Sequence, residues 1–157
     1  MKTQTQINQA IDIQEDKDRS IATNLINKVF AYSIIDYTPT SARTDMFVSG
    51  YTLTNSAPYN IEVKERYIYT NKYKEAYLEV DKYEALQAYK NTHYSVYLCI
   101  YKDKILIWNL SKIDMNNVKK DWRLMKEKTF KGEKKVNKLV YLLPINLAKK
   151  FDRYDIY

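Results

Sequence analysis

The sequence predicts an α/β fold in which a mixed central β-sheet is flanked by helices. Three patterns support this prediction. Apolar residues recur at helical spacing between residues 21 and 32, apolar and polar residues alternate between residues 60 and 67, and two β-forming runs flank a polar turn at residues 102–104. With 157 residues, numbered 1–157, the chain is expected to form one domain with a core of its own.

The first element is expected to be an amphipathic helix that packs on the core. Asp16 or Asp18 can cap this helix, and Ile21 and Leu25 begin its apolar face. The Gln-rich residues before it are expected to be frayed or partly helical. The short apolar run at residues 33–37 is expected to form an edge strand or a loop.

Residues 45–53 and 60–67 are expected to form the two strands of a hairpin, because residues 54–58 supply turn chemistry between them. In the second strand, period-two alternation sends apolar side chains to one face and charged side chains to the other. The apolar set is Ile61, Val63 and Tyr67, and the charged set is Glu62, Lys64 and Arg66. The charged face is then a row of functional groups over a buried apolar face.

Asp45 opens the first strand of this hairpin and is the preferred partner of Glu62 and Lys64, because a continuous strand follows it. Asp36 competes for the same role, but it runs into a polar segment that contains Pro39. A tight hairpin ladder would not place Asp45 beside Glu62. A splayed hairpin or an extra bend is therefore expected to close the gap.

These residues resemble the PD-(D/E)xK nuclease superfamily, which has a restriction-endonuclease-like fold and includes Holliday-junction-resolvase-like members. An acid that opens a strand, a hairpin, and an apolar-Glu-apolar-Lys strand carry the resemblance, which covers about residues 15–110. It implies a core of order αβββαβ, and the distribution of charge adds a basic C-terminal extension at residues 111–157. Thr44 departs from the pattern, because it stands where the family name puts proline.

The resemblance also implies roles for individual residues. Asp45 would be the metal-binding aspartate and Glu62 the second metal ligand, and the Val63 carbonyl is a further candidate ligand. Lys64 would orient or polarise the attacking water, and hydrolysis would leave a 5′-phosphate and a 3′-hydroxyl. Mg²⁺ is the expected cofactor, with Mn²⁺ as a substitute, because Mg²⁺ takes hard oxygen ligands and one or two carboxylates.

Two further residues are secondary candidates. Glu15 precedes the apolar face of the first helix, and the resembled fold sometimes takes a metal ligand from there; capping or solvent exposure is the alternative. Lys82 opens a helix expected to start near Asp81, where it can face a phosphate. An ordinary surface lysine is the alternative for Lys82.

The net charge of +7 is concentrated in residues 111–157, where basic residues are interleaved with aromatic ones. This pattern suits a surface that faces nucleic acid. An AT-rich genome accounts for the abundance of lysine and tyrosine, but it does not account for this clustering. The expected nucleic-acid-binding residues are Lys119, Lys120, Trp122, Arg123, Lys126, Lys128, Lys131, Lys134 and Lys135.

Other features narrow the class of protein. The chain has no apolar run of about 18 residues and no N-terminal signal pattern, so a cytoplasmic protein without a membrane partner is expected. Cys99 lies in an apolar run and is expected to be a buried structural thiol. Two glycines are too few for a phosphate-binding glycine loop. Residues 139–143 are expected to form a strand, and Asn146 to cap a short terminal helix.

The function these features favour is metal-dependent hydrolysis of phosphodiester bonds in DNA, by an endonuclease. A nucleic-acid-binding or assembly protein without catalysis on the same fold is the alternative. A homodimer is plausible, because cutting both strands of a duplex usually needs two sites.

Overall fold

The computed structural model describes residues 3–29, 33–38, 44–50, 58–127 and 134–153. These residues form two α-helices and nine β-strands, joined by turns and single 3-10 turns. The helices are α1 (Gln4–Val29) and α2 (Val80–Gln87). The strands are β1 (Ser33–Tyr37), β2 (Met46–Gly50), β3 (Tyr59–Glu65), β4 (Glu75–Glu79), β5 (Tyr94–Ile100), β6 (Lys104–Asn109), β7 (Lys120–Lys126), β8 (Lys135–Pro144) and β9 (Lys149–Asp152).

The strands form a six-stranded sheet of order β1-β2-β3-β5-β6-β9 and a three-stranded sheet of order β4-β8-β7. β3 and β5 run parallel, and the other paired strands run antiparallel. The parallel pair is possible because β4 and α2 form the crossover between its strands. The expected mixed sheet flanked by helices, with a core of order αβββαβ, is therefore confirmed.

The large sheet is buried on both faces. On one face, Leu25 and other apolar residues of α1 pack against Ile61, Val63 and Leu98. On the other face, Trp108 and further residues of β5 and β6 pack against α2 and the small sheet. Side chains of the central strands β3 and β5 are therefore removed from water whichever way they point.

The expected burial of Cys99 and Trp108 is confirmed in the core between the large sheet, α2 and the small sheet. Cys99 and Trp108 both have no exposed surface. Burial raises the pKa of the Cys99 thiol, which leaves it uncharged and structural.

Other expected boundaries were wrong. α1 begins at Gln4 and not at Asp16 or Asp18; of the two alternatives for the Gln-rich residues the helical one is confirmed, because this run contains no glycine or proline to stop helix growth. The predicted terminal helix is a 3-10 turn followed by β9, which pairs with the edge of β6. The basic segment is not an appendage: its strands β7 and β8 complete the small sheet and β9 extends the large one.

In the described residues, no helix is both long enough and apolar enough to cross a bilayer. α1 has the length for a span at 26 residues, but it is amphipathic and strongly polar.

Asp18 of α1 and Glu65 at the end of β3 form a carboxyl pair that is bridged by Gln14. Gln14 Nε2 donates hydrogen bonds to Asp18 Oδ1 at 2.6 Å and to Glu65 Oε2 at 2.5 Å. Burial, helped by the Glu65 carboxylate, raises the pKa of Asp18 to about 7. Burial also opposes ionisation of Glu65, but hydrogen bonds from Asp18 and Tyr67 and nearby cations hold its pKa below the ordinary value. The pair therefore shares one proton at acidic pH.

We expect the contribution of Asp18 to stability to fall as pH rises from about 4 to about 7. The folded state holds the Asp18 proton more tightly than the unfolded chain does, so ionisation favours unfolding in this window. Asp18→Asn should therefore be more stable than the wild type at pH 8, by about 1 kcal/mol after allowance for solvent screening. The difference should shrink towards pH 4.

Urea unfolding at several pH values measures this difference. Asp16→Asn removes an exposed acid from the same helix and is the matched control. A parallel pH dependence in wild type and Asp18→Asn would show that the carboxyl pair does not form.

Candidate active site

The register between β2 and β3 places Asp45 opposite Glu62. Met46 pairs with Ile61 and Val48 with Tyr59, so the residue before Met46 lies across from the residue after Ile61. A tight turn at residues 54–58 would instead have placed Asp45 near Tyr67. In this register the gap expected for a tight hairpin does not arise, and residues 51–57, which hold most of the expected turn, lie outside the described residues.

Asp45 is held in place by the backbone of the neighbouring strand. The Val63 N–H donates a hydrogen bond to Asp45 Oδ2 at 2.7 Å, and the Asp45 N–H donates to the Ile61 carbonyl at 3.1 Å. A charge-assisted bond from a backbone N–H is stronger than a neutral one and fixes the carboxylate orientation. Asp45 is thus a rigid group at the start of β2, directly beside Glu62.

Glu62 is a buried carboxylate with an unsatisfied oxygen. Only 6% of its surface is exposed, and Glu62 Oε2 has no hydrogen-bond partner among the described residues. Burial, reinforced by the Asp45 carboxylate, raises the pKa of Glu62 to about 8, although Lys82 and Lys64 oppose the rise. A buried acid of this kind stays ionised at neutral pH only when a cation lies close to it.

Lys82 supplies a cation from the first turn of α2. Its Nζ lies 3.0 Å from Glu62 Oε1, and its side chain is about one-third exposed. Burial alone would lower the pKa of Lys82, but the carboxylates of Glu62, Asp45 and Glu79 raise it. The distance between Lys82 Nζ and Glu62 Oε1 indicates an ion pair. Because burial raises the pKa of Glu62, protonation of Glu62 breaks this pair more easily than deprotonation of Lys82 does. The secondary candidate Lys82 is therefore in contact with the acid pair.

Lys64 lies on the same face of β3 as Glu62, two residues further along, and is partly buried. Val63 lies between them with its side chain in the core beneath α1. The expected alternation of β3 is present, but the charged face is not open to solvent at Glu62. Tyr67 was expected on the buried apolar face together with Ile61 and Val63. This expectation was wrong, because Tyr67 lies beyond the end of β3 and is exposed.

Of the two remaining acidic candidates, one lies on a different strand, and the side chain of the other lies outside the described part of the chain. Asp36 is exposed on the edge strand β1, where it pairs with Phe47. The backbone of Glu15 belongs to α1, and the placement of its side chain lies outside the described part of the chain.

Asn60 is a buried polar residue that the sequence did not single out. It has no exposed surface, and neither polar atom of its amide has a partner in the described residues. Asn60 lies two residues before Glu62, on the same face of β3. Period-two spacing from Glu62 was the signal that could have found it, but alternation predicts only the face and not the burial.

A second ion pair lies within the small sheet, between β4 and β8, next to this site. Lys138 Nζ of β8 lies 2.9 Å from Glu79 Oε2, and Glu79 immediately precedes α2. A cleft of about 380 Å³ opens here, lined by Glu79, Val80, Asp81, Glu127, Lys138 and Leu139. The basic hairpin β7-β8 is therefore attached next to the helix turn that carries Lys82.

The structure spreads the expected nucleic-acid-binding residues along this hairpin. Trp122 is 64% exposed, and Lys119, Lys120, Lys126 and Lys135 are exposed.

Other members of the set have protein partners or are not described. Arg123 pairs with Asp121 at 2.8 Å and lies over the Tyr77 ring, and Lys134 pairs with Glu127 at 3.2 Å. Lys128 and Lys131 lie outside the described residues.

The donor set fits a hard divalent cation. Asp45 and Glu62 offer carboxylate oxygens side by side, and the unsatisfied Glu62 Oε2 is the kind of buried atom that a metal completes. In the described residues no group of three or more His, Cys, Asp or Glu side chains could hold a metal. A cation bound here would therefore keep several waters, as Mg²⁺ usually does.

No family model and no curated protein sequence matches this chain. Among solved structures, the chain is similar to Hjc, a Holliday junction resolvase from the archaeal hyperthermophile Archaeoglobus fulgidus. The match covers 74% of this chain and 83% of that chain, with 13% sequence identity and a TM-score of 0.44. At this identity the likeness concerns the course of the backbone and not the chemistry of the site.

Removing Lys82 leaves the buried Glu62 carboxylate without its cation. We expect Lys82→Met to lower the free energy of unfolding by about 1–3 kcal/mol at pH 9, less than for fully buried pairs because Lys82 is partly exposed. The double variant Glu62→Gln/Lys82→Met should recover most of the loss, since no charge is then buried.

Urea unfolding in the presence of a chelator measures these values, and Lys90→Met removes an exposed lysine beyond the same helix as control. Equal losses in the single and double variants would contradict the ion pair.

Proposed function

We propose that the protein is a metal-dependent nuclease that hydrolyses phosphodiester bonds in DNA, acting in the cytoplasm. One observation carries the proposal. Asp45, fixed by the Val63 N–H, lies across from the buried Glu62, whose Oε2 has no partner in the described residues. The structural acid pair Asp18–Glu65 is bridged by Gln14, whereas the pair of Asp45 and Glu62 leaves a buried carboxylate oxygen without a partner in the described residues, and a cation would satisfy it.

Asp45 and Glu62 would hold the Mg²⁺ ion, for which Mn²⁺ can substitute, and the Val63 carbonyl is the further candidate ligand. When bound, the ion would lower the pKa of a coordinated water and offset negative charge on the phosphate. The hydrogen bond from Val63 N–H holds the Asp45 carboxylate against β3, at the residue that follows Glu62, without any metal.

The two lysines come from different elements, Lys64 from β3 and Lys82 from α2. Lys64 extends from the same face of β3, where it can orient the attacking water or hold the oxygens of the phosphate. Lys82 balances the charge of Glu62 when no metal is bound, and afterwards its ammonium is available to the phosphate.

The basic hairpin suggests that the substrate is a nucleic acid. β8 is joined to the start of α2 by the Lys138–Glu79 pair, so a phosphate backbone in the site can continue along the exposed lysines of β7 and β8. Lysines contact phosphates without regard to base sequence, which suits a nuclease that recognises the shape of its substrate.

One observation favours a catalytically inactive nucleic-acid-binding or assembly protein as the second candidate. The Lys82 ammonium already pairs with Glu62, so the acid has a cation without any metal. This candidate predicts DNA binding without a cleavage product at any concentration of Mg²⁺ or Mn²⁺.

We expect Lys64→Ala to abolish metal-dependent cleavage and to leave DNA binding nearly intact. In this proposal Lys64 orients the attacking water or holds the phosphate oxygens, whereas the affinity for DNA comes from the lysines of the β7-β8 hairpin. The measurement is incubation with labelled linear, nicked, branched and single-stranded DNA, with and without Mg²⁺, alongside binding without metal. Lys112→Ala changes an exposed lysine away from the site and is the control. Cleavage that persists in Lys64→Ala would refute the assignment.

We expect DNA binding to weaken steeply with salt. If about six cations of the hairpin contact phosphates, log K against log salt should have a slope of about −5. Lys126→Gln/Lys135→Gln should make the slope less steep by about 2, because two contacts are lost. Lys90→Gln/Lys112→Gln, which removes two exposed lysines from other surfaces, should leave it unchanged. A flat salt response of the wild type would argue for a protein partner instead of DNA.

A further inference from the structure

The outer strand of the small sheet presents an open backbone edge. β7 pairs with β8 on one side only, and in the described part of the chain no strand pairs with its other side. The Glu127 N–H donates to the Lys134 carbonyl, and the Leu142 N–H donates to the Lys119 carbonyl. Odd-numbered residues of β7 therefore bond to β8, and even-numbered residues direct their N–H and C=O groups outward.

The outward-directed residues also carry exposed apolar side chains. Trp122 and Leu124 are each 64% exposed and lie on the same face of β7, between Lys120 and Lys126. Natural sheets often protect an edge with lysine. A tryptophan in the middle of such an edge removes that protection, because it offers a large apolar surface where a second strand can add.

The charges of β7 select one way for this strand to pair with itself. Antiparallel two-fold registers that overlap at least five residues of β7 are centred on Trp122, Arg123 or Leu124. The register centred on Arg123 opposes two arginines, and it also opposes Lys120 to Lys126. The register centred on Leu124 brings Asp121 opposite Glu127. Like charges directly opposite each other destabilise a sheet.

The register centred on Trp122 has no such conflict. It places Asp121 opposite Arg123 of the second copy, twice by symmetry, and each Lys120 opposite a Leu124. Asp121 and Arg123 already lie 2.8 Å apart within one strand, so the two-fold arrangement closes a ring of four alternating charges on the face of the sheet opposite the paired tryptophans.

We propose that the protein forms a two-fold homodimer in which β7 pairs antiparallel with β7 of a second copy, centred on Trp122. The two small sheets then join into one six-stranded sheet of order β4-β8-β7-β7-β8-β4. The backbone groups of Lys120, Trp122 and Leu124 are satisfied, and the exposed indoles pack against each other. This assigns Trp122 to a protein contact instead of the stacking on nucleic acid suggested by its basic neighbours. The inference does not depend on the proposed function.

A charge swap tests the register. Asp121→Arg and Arg123→Asp each place like charges opposite each other twice, so each should weaken the dimer about tenfold or more. The double variant Asp121→Arg/Arg123→Asp restores opposite charges across the interface and should return the dissociation constant to within about threefold of wild type. Sedimentation velocity over a range of protein concentrations measures the dissociation constants. Far-UV circular dichroism checks that each variant is folded.

A cysteine at the two-fold position gives an independent readout that keeps all the charges. Trp122→Cys should form an intermolecular disulfide under mild oxidation, because paired Cα atoms about 5.5 Å apart fall within the span of a disulfide. Leu124→Cys should not, because the two copies of residue 124 lie about 13 Å apart along the strands.

Several results would overturn the inference. They are a wild type that stays monomeric at about 100 μM, a dimer that ignores both single charge reversals, a double variant no tighter than the singles, and disulfide formation at 124 as fast as at 122. A monomer whose DNA retention is lost in Trp122→Ala would return the tryptophan to nucleic acid.

Discussion

The register between β2 and β3 is the constraint on which the site depends. Met46 pairs with Ile61, so Asp45 lies opposite Glu62 and its carboxylate accepts the hydrogen bond of Val63 N–H. A slip of one residue would turn Asp45 to the other face of the sheet, towards the core under α1. Met46, next to Asp45, has no exposed surface, so the apolar core resists such a slip. Stability and site geometry are therefore set by the same strand pairing.

Burial gives the acid pair its chemical character. β3 is a central strand, and its neighbour β5 is covered on both faces, so Glu62 is removed from water although it lies on the polar face of its own strand. An exposed glutamate at this position would ionise freely and bind a cation weakly. Burial raises the pKa of Glu62 to about 8, and its Oε1 pairs with Lys82, but its Oε2 has no partner among the described residues, which makes the position suitable for a metal.

The small sheet determines what surrounds the site. β4 and α2 form the crossover between the parallel strands, and β8 pairs along β4, so the C-terminal third is attached to the segment that delivers Lys82. The alternating charges of Glu62, Lys82, Glu79 and Lys138 run from the large sheet to the small one. A basic hairpin anchored in this way has a defined position beside the acids, which a flexible basic tail would lack.

The sequence by itself determined the elements whose patterns are local: the periodicity of α1 after Ile21, the alternation of β3, the β-rich hairpin of β5 and β6, and the adjacency of Glu62 and Lys64. Local patterns also supplied Asp45 as the candidate for the first acid. Only the tertiary structure decided how far Asp45 lies from Glu62, because that distance depends on the register across a long connection. The tertiary structure likewise decided the burial of Asn60 and Glu62 and the pairing of β9. These features depend on which strands become neighbours. Strands that are distant in sequence leave no periodic signal of their pairing in either segment.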